Sequence, residues 1–461
     1  MSWTDRTKGI VSVALIAITA IVFAATPSHA LDIKRMTLSN GATLLVSEEH
    51  QLPMVTIAIA FDAGTRRDPV GKEGLAELTA RCLSQGTKTL TSTEFDQKTD
   101  FMGSSVAVSA GRDYSTGGMT SLKKYQGETL KLLAGILITP GLREADILRK
   151  RDEQVAEIKS AEEQPGYTAS VEFTKELYGS SPYGHPGAGS SESVAKLSSD
   201  DVRNFYQTYY KLGGATIAVA GDVTADEVKV SLEQALAGLN GTVPAQAEPS
   251  PVTVAPGFHV KVIDRNVVQA NLIMGFGGVE RSNPDYYRLK VMNYILGGGG
   301  FSSRLMRVVR SERGLAYSIN SGFEPGKFQG SFEVSLQTKN QSSNNAIDLI
   351  MQQIREIQEK PVSDAELDGA KKFLVGSFPL TIERQPAIAS FMVQLEIYGL
   401  GLDYAAKYPS LIESVTKDDV LAVAKKYLHP DAVLLVAVAD QNVAKIKSAN
   451  LEKPAASAGG Q

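Results

Sequence analysis

Apolar and polar positions alternate through Met54-Val55-Thr56-Ile57-Ala58-Ile59-Ala60-Phe61, a period of two that predicts a half-buried strand. From about Gly74 to Leu83 the spacing becomes helical, and strand-like and helix-like stretches then alternate along the chain. The segment Gly241-Thr242-Val243-Pro244-Ala245-Gln246-Ala247-Glu248-Pro249-Ser250-Pro251 is proline-rich and weakly patterned, which predicts a linker between two nearly equal halves. Those halves look like copies of each other. Asp201 and Asp419, Tyr209 and Tyr427, and Asp222 and Asp440 are each 218 residues apart, and each set leads from a helix-like run into an apolar strand. Phe61-Asp62-Ala63-Gly64 has a counterpart in Phe276-Gly277-Gly278 at a slightly smaller offset. A repeat this long signals duplicated domains, since a solenoid needs periods of a few tens of residues. Each copy is expected to be an α+β sandwich, with helices on one face of a mostly antiparallel sheet.

The 461 residues, 43% hydrophobic and 21% charged, suffice for two folded domains. A formal charge of −4 gives no electrostatic reason to expect nucleic acid as a partner. The single cysteine, Cys82, excludes an intrachain disulfide framework. Arg6 and Lys8 precede an apolar run from Ile10 to Ala25 that closes at Ser28-His29-Ala30, the layout of a secretory signal peptide cleaved after Ala30. An uncleaved anchor is the alternative, although the run is slightly short for a span. The expected layout is a signal peptide over 1–30, an N-terminal domain over 31–240, a linker over 241–256, a C-terminal domain over 257–450 and a mobile tail over 451–461. In a Gram-negative source the mature chain would be periplasmic, without stable membrane insertion.

Phe61-Asp62-Ala63-Gly64-Thr65-Arg66, then Gly71-Lys72-Glu73-Gly74-Leu75-Ala76 and the helix-like run to Leu83, resemble the strand, turn and helix that lead into the metal site of the pitrilysin or insulinase family of zinc peptidases. The likeness is strongest to the shorter bacterial and mitochondrial-processing-peptidase-like members. It implies two homologous domains forming a clam-like half of a peptidase chamber. It also implies H-x-x-E-H on the helix, where histidines four apart share a face and the glutamate handles the attacking water. In this chain the three slots hold Glu77, Ala80 and Arg81. Arginine keeps its proton and offers no lone pair, and alanine has nothing with which to activate water. Glu157, 76 positions beyond Arg81, stands near the family's third ligand. By resemblance it is a vestigial ligand, and on its own residues it is a solvated helix glutamate. An Arg81 to Glu157 ion pair in place of the metal is a further hypothesis. His50, His185, His259 and His429 are too dispersed to share a helix face, so only a site built from distant segments stays open. His185, in the turn-rich Pro182-Tyr183-Gly184-His185-Pro186, is read as structural.

In the second half Gly297, Gly298, Gly299 and Gly300 follow an apolar helix-like run. They lack the lysine and the strand-to-helix context of a phosphate loop. They read as a flexible turn or, by resemblance, as the substrate-handling glycine-rich loop of noncatalytic processing-peptidase subunits. Arg304, Arg307, Arg310 and Arg313 recur every three residues and predict a basic ridge on a helix, solvated by default. The resemblance singles out Arg310 and Tyr317, matching an arginine and a tyrosine seven positions apart that reach the substrate backbone. Guanidinium and phenol are suited to a developing oxyanion. The expected function is therefore a noncatalytic, substrate-binding subunit of a heterodimeric periplasmic zinc metallopeptidase acting on unfolded peptides. This chain would hold no cofactor, and a zinc-bearing pitrilysin-family partner would complete the site. Its rivals are a stand-alone peptide-binding pseudoenzyme or chaperone-like protein, and a hydrolase with an unconventional metal site.

Overall fold

The computed structural model describes residues 31–447, so the signal-peptide reading and the tail from 451 lie outside the described residues. The first half is built on six strands, β1 (Lys34–Thr37), β2 (Thr43–Glu48), β3 (Met54–Phe61), β4 (Ser105–Ala110), β5 (Ser115–Leu122) and β6 (Thr216–Gly221), in the order β1-β2-β6-β3-β5-β4. Only the pairing of β2 with β6 is parallel. Three of its helices bear on function: α1 (Leu75–Leu83), α2 (Glu144–Glu162) and α3 (Pro165–Tyr178).

The second half repeats the plan. Strands β7 (Gly257–Asp264), β8 (Gln269–Gly277), β9 (Ala316–Phe323), β10 (Ser331–Lys339) and β11 (Ala432–Ala439) follow the order β7-β11-β8-β10-β9, with β7 and β11 parallel. Its relevant helices are α4 (Tyr286–Asn293), α5 (Asp364–Ser377) and α6 (Gln385–Ile397). The repeated aspartates have matching local roles. Asp201 and Asp419 each close a capping box, with Ser198 and Thr416, satisfying backbone N–H groups at the start of equivalent helices.

Each half is thus an α+β sandwich on a mostly antiparallel sheet, but helices cover both faces of each sheet. One face carries the half's own helices, and the other carries a helix from the opposite half. Helix α6 of the second half packs on β3 and β6, and α3 of the first half packs on β8 and β11. This corrects the half-buried reading of β3, which is buried from Val55 to Phe61. The alternation is real, but its two faces differ in size, not in polarity. Val55, Ile57, Ile59 and Phe61 enter the first core, while Thr56, Ala58 and Ala60 pair in register with Ala220, Ala218 and Thr216 on the other face. Those small side chains make a shallow surface on which α6 beds Ile388, Ala389, Met392 and Val393. Reciprocally, Ala169, Phe173 and Leu177 of α3 join Ile273, Leu434, Val436 and Val438 in a third core that belongs to both halves. Burying Phe173 alone contributes about 2–3 kcal/mol. From Ile33 onward the two halves form one compact unit.

The proline-rich connection is pinned, not free. The Gln246 amide donates to the Arg66 carbonyl at 2.9 Å while its oxygen accepts from the Arg66 guanidinium, and the Val252 N–H donates to Gln329 at 2.8 Å.

Candidate functional site

Helix α1 begins at Gly74, whose φ of +94° favours glycine. Asp68 accepts the N–H groups of Gly74 and Ala76 at 2.8 and 2.7 Å, tying down the first turn. Burial pushes the Asp68 carboxyl up to about 8, against the pull of those two N–H donors. Leu75, Leu78, Cys82 and Leu83 face the core, and Ala80 is only 1% exposed. Glu77 and Arg81, four apart, share the outer face, as the motif slots require. Gln154, fully buried on α2, donates to the carbonyls of Gly74 and Ala188 at 3.1 and 2.9 Å and fixes α2 against the start of α1.

That register brings Glu157 to Arg81. The guanidinium donates from Nε to Glu77 at 2.8 Å and pairs through Nη1 with Glu157 at 2.7 Å, so both carboxylates converge on one cation. Burial disfavours the charge on Arg81, but the two carboxylates outweigh it and its pKa is raised. The residues present do not fit a zinc ion. The remaining ligand-type oxygens are engaged by a fixed cation, the second histidine position carries positive charge, and Ala80 supplies no base. The arrangement also explains how two carboxylates remain close without a metal, since the guanidinium offsets their repulsion.

The other histidines do not rebuild a site. His50 pairs with Asp222 at 2.7 Å, His185 lies 3.0 Å from the Pro186 carbonyl, His259 lies 2.9 Å from the Ala255 carbonyl, and His429 packs edge-on against Phe276. Among the described residues, no three His, Cys, Asp or Glu side chains are placed to hold a metal.

Strand β4 runs beside α1, its Val108 N–H donating to Ser84 at 3.0 Å, and no further strand flanks it among the described residues. In the second half β9 is the equivalent edge. The arginine series lies there, but not as a solvated ridge on a regular helix. Met306–Glu312 is π-helical, which breaks the 3.6-residue register. Arg304 is mostly buried and makes a bidentate pair with Glu366 at 2.6 and 2.9 Å. Arg307 pairs with Glu312 at 2.6 Å. Arg310 lies over the Phe301 ring, 4.8 Å from its centroid, and reaches the Met306 sulfur at 3.9 Å. Tyr317, on β9, is 72% exposed.

The four glycines are not equivalent. A Cβ on Gly297 would lie 2.8 Å from both Leu305 Cδ1 and the Ser321 backbone nitrogen, and one on Gly298 would lie 2.6 Å from Asn293 Nδ2. At Gly299 it would meet the Tyr294 carbonyl at 2.6 Å. Only Gly300, with φ of +57°, faces open space. Three of the four therefore have an intramolecular reason to be glycine, the close approach of the π-helical Tyr294–Gly298 to β9 and to its own first turn.

One polar cluster has no counterpart in the sequence reading. Asp113, buried in the β4–β5 turn, accepts from the Tyr183 hydroxyl, from the Tyr398 hydroxyl at 2.9 Å and from the Lys327 N–H at 2.9 Å. The Tyr183 hydroxyl in turn accepts from the Phe328 N–H at 3.1 Å, and Arg112 donates to the Glu324 carbonyl at 3.0 Å. The structural work of the Pro182 to Pro186 turn thus falls to Tyr183. Partnerships between residues this far apart leave no periodic trace in a sequence.

Fold and site together define the class as a duplicated α+β, zinc-peptidase-like chain whose helix α1 carries an Arg81 ion pair at the positions of the metal ligands. Residues 44–187 match the family profile described as insulinase, peptidase family M16, and residues 196–374 match the one described as peptidase M16 inactive domain. The chain belongs to the M16 family and carries Glu77, Ala80 and Arg81 where the H-x-x-E-H set would stand. It is 29% identical over 342 residues to the "Non-peptidase homolog YmxG" of Helicobacter pylori, covering 74% of this chain and 78% of that one. It is 25% identical over 353 residues to the "Uncharacterized zinc protease YmxG" of Bacillus subtilis, covering 76% and 85%. Among solved structures, a peptidase M16 inactive domain from Pseudomonas fluorescens superposes with a TM-score of 0.83 at 27% identity, covering 89% of this chain and 98% of that one.

Proposed function

We propose that the chain is the noncatalytic, substrate-binding subunit of a heterodimeric zinc metallopeptidase that acts on unfolded peptides. The carrying observation is the Arg81 guanidinium held between Glu77 and Glu157 where a metal would sit. A chain so built needs a zinc-bearing partner of its own family for hydrolysis. Its contribution would be half of the enclosure and the side chains of Arg310 and Tyr317, offered to the carbonyl oxygen as negative charge develops there. An open strand edge would hold the peptide by its backbone, tolerating many sequences. No helix among the described residues is long and apolar enough to cross a membrane. The periplasm is the compartment we propose, on the strength of the first thirty residues.

The test is co-expression with a family member carrying an intact H-x-x-E-H. The pair should cleave unfolded peptides, and Arg310→Ala or Tyr317→Phe should lower kcat by about 10²-fold or more, the usual effect of removing one oxyanion donor. Unchanged kcat in both variants would defeat the donor assignment. The Helicobacter pylori relative is named as a non-peptidase homologue, which favours a second reading, a stand-alone peptide-binding pseudoenzyme. That reading gains if the purified chain binds peptides while no family partner co-purifies with it.

A further inference from the structure

A strip of rings borders the glycine run. Tyr294 packs against Phe373 of α5 with the rings tilted by 33° and their centroids 5.0 Å apart, and its hydroxyl lies 3.4 Å from Ser302, beside Phe301. Phe301 is 75% exposed and carries Arg310 on its face, while Phe373 also projects largely into solvent. Large rings left in water beside one another mark a contact surface more often than a structural need. The charge distribution adds direction. Of the four arginines in the segment, Arg304 and Arg307 are neutralised by Glu366 and Glu312, whereas Arg310 and Arg313 have no carboxylate partner among the described residues. Aromatic faces and uncompensated cations therefore lie in one region, next to the open edge of β9.

We propose that Tyr294, Phe301 and Phe373, with Arg310 and Arg313, form a recognition strip for peptide segments in which a bulky apolar side chain neighbours a carboxylate. The ring of such a segment stacks on the strip, and its carboxylate meets the free guanidinium groups. The proposal rests on the substrate-binding reading above and names the substrate class. A peptide fits this surface better than an anionic membrane does. Strand β9 is the edge of its sheet among the described residues, with the Ser321 carbonyl taken by Asn293, and Gly300 is unobstructed; an extended backbone can add at such an edge, for which a lipid headgroup layer has no equivalent.

The experiment measures fluorescence anisotropy of the chain alone with four labelled Gly/Ser peptides that differ at two adjacent positions, Phe-Glu, Ala-Glu, Phe-Lys and Ala-Lys. Phe-Glu should bind most tightly, with each single replacement weakening Kd by about tenfold, the equivalent of one well-packed ring or one charged hydrogen bond. Phe301→Ala and Phe373→Ala should erase the preference for Phe over Ala, and Arg313→Glu should erase or reverse the preference for Glu over Lys. Equal affinity for all four peptides, or a preference that survives Phe301→Ala, overturns the proposal. So does binding confined to vesicles containing an anionic phospholipid. Phe373→Ala and Arg313→Glu leave Arg310, its contact with Phe301 and Tyr317 in place, so in an active pair these two variants should raise KM and spare kcat. No selectivity among the four peptides in the unmodified chain, together with turnover beside a zinc-bearing partner, would sink only this proposal, and selectivity in the unmodified chain with no turnover beside any zinc-bearing partner would sink only the heterodimer.

Discussion

Asp113→Asn probes the junction between the halves. The aspartate receives three donors, Tyr183 and Tyr398 through their hydroxyls and Lys327 through its backbone N–H, and two of these come from the second half. Asparagine keeps the shape but has one accepting oxygen, so its amide must confront at least one donor. The cheapest orientation turns that amide toward Tyr183, whose hydroxyl can accept, and leaves the oxygen for Tyr398 and Lys327. Even so, three charge-assisted hydrogen bonds become neutral or are lost, for an expected cost of about 3 kcal/mol. With an unfolding entropy of about 2.1 cal/mol/K per residue over roughly 400 residues, Tm should fall by about 3–4 °C. Tyr398→Phe removes a single donor and should cost about 1 kcal/mol. Urea unfolding followed by circular dichroism supplies both values. In the double variant the two losses should be less than additive by several tenths of a kcal/mol, since the hydroxyl's partner has already been weakened. A loss below about 1 kcal/mol for Asp113→Asn, or strict additivity, would refute the idea that this carboxylate holds the halves together.

Three further outcomes are expected. Glu77→His combined with Arg81→His should allow the chain to take up zinc with Glu157 as third ligand while hydrolysing nothing, because Ala80 still supplies no base; metal analysis after dialysis checks uptake, and none would show that the pocket geometry has drifted from the family's. Burial raises the Glu366 carboxyl, but Arg304 and the Ser363 cap overcome it and hold it at about 2, below its ordinary 4.5. Its stabilising contribution is therefore complete above about pH 4.5 and lost as pH falls toward 2, so Glu366→Gln should flatten that part of the stability profile and leave the slope above pH 5 unchanged. Gly297→Ala should destabilise the second half by about 1–3 kcal/mol, because its Cβ would lie 2.8 Å from Leu305 and the Ser321 backbone; a neutral result in thermal melts would show that the π-helical turn can yield.

The duplication was legible because it lives in local chemistry. Capping aspartates, a tyrosine and an apolar strand recur at a fixed spacing in each copy, and each acts within a few residues of itself. The loss of the metal set was equally legible, since a helix fixes which side chains share a face once its slots are known, and Arg81 cannot be a ligand in any fold. The arginine series misled because a period of three implies a ridge only on a regular helix, and the π-helical turn redistributed those residues among Glu366, Glu312 and Phe301. The alternation in β3 likewise implied one wet face. What covered that face was a helix more than 300 residues later, recognisable beforehand only as a row of alanines and threonines.

By itself, then, the sequence determined what each residue can do chemically: that position 81 carries a permanent cation, that position 80 carries no base, and that two copies of one sandwich follow each other. Tertiary structure alone decided who meets whom. It brought Glu157 to Arg81, exchanged α3 and α6 between the halves, and gathered Tyr183, Tyr398 and Lys327 around Asp113. Side-chain chemistry and helical spacing are properties of a few neighbouring residues. The partner of a buried charge is set by packing between segments hundreds of residues apart, where burial makes an unpaired polar group too costly to leave alone.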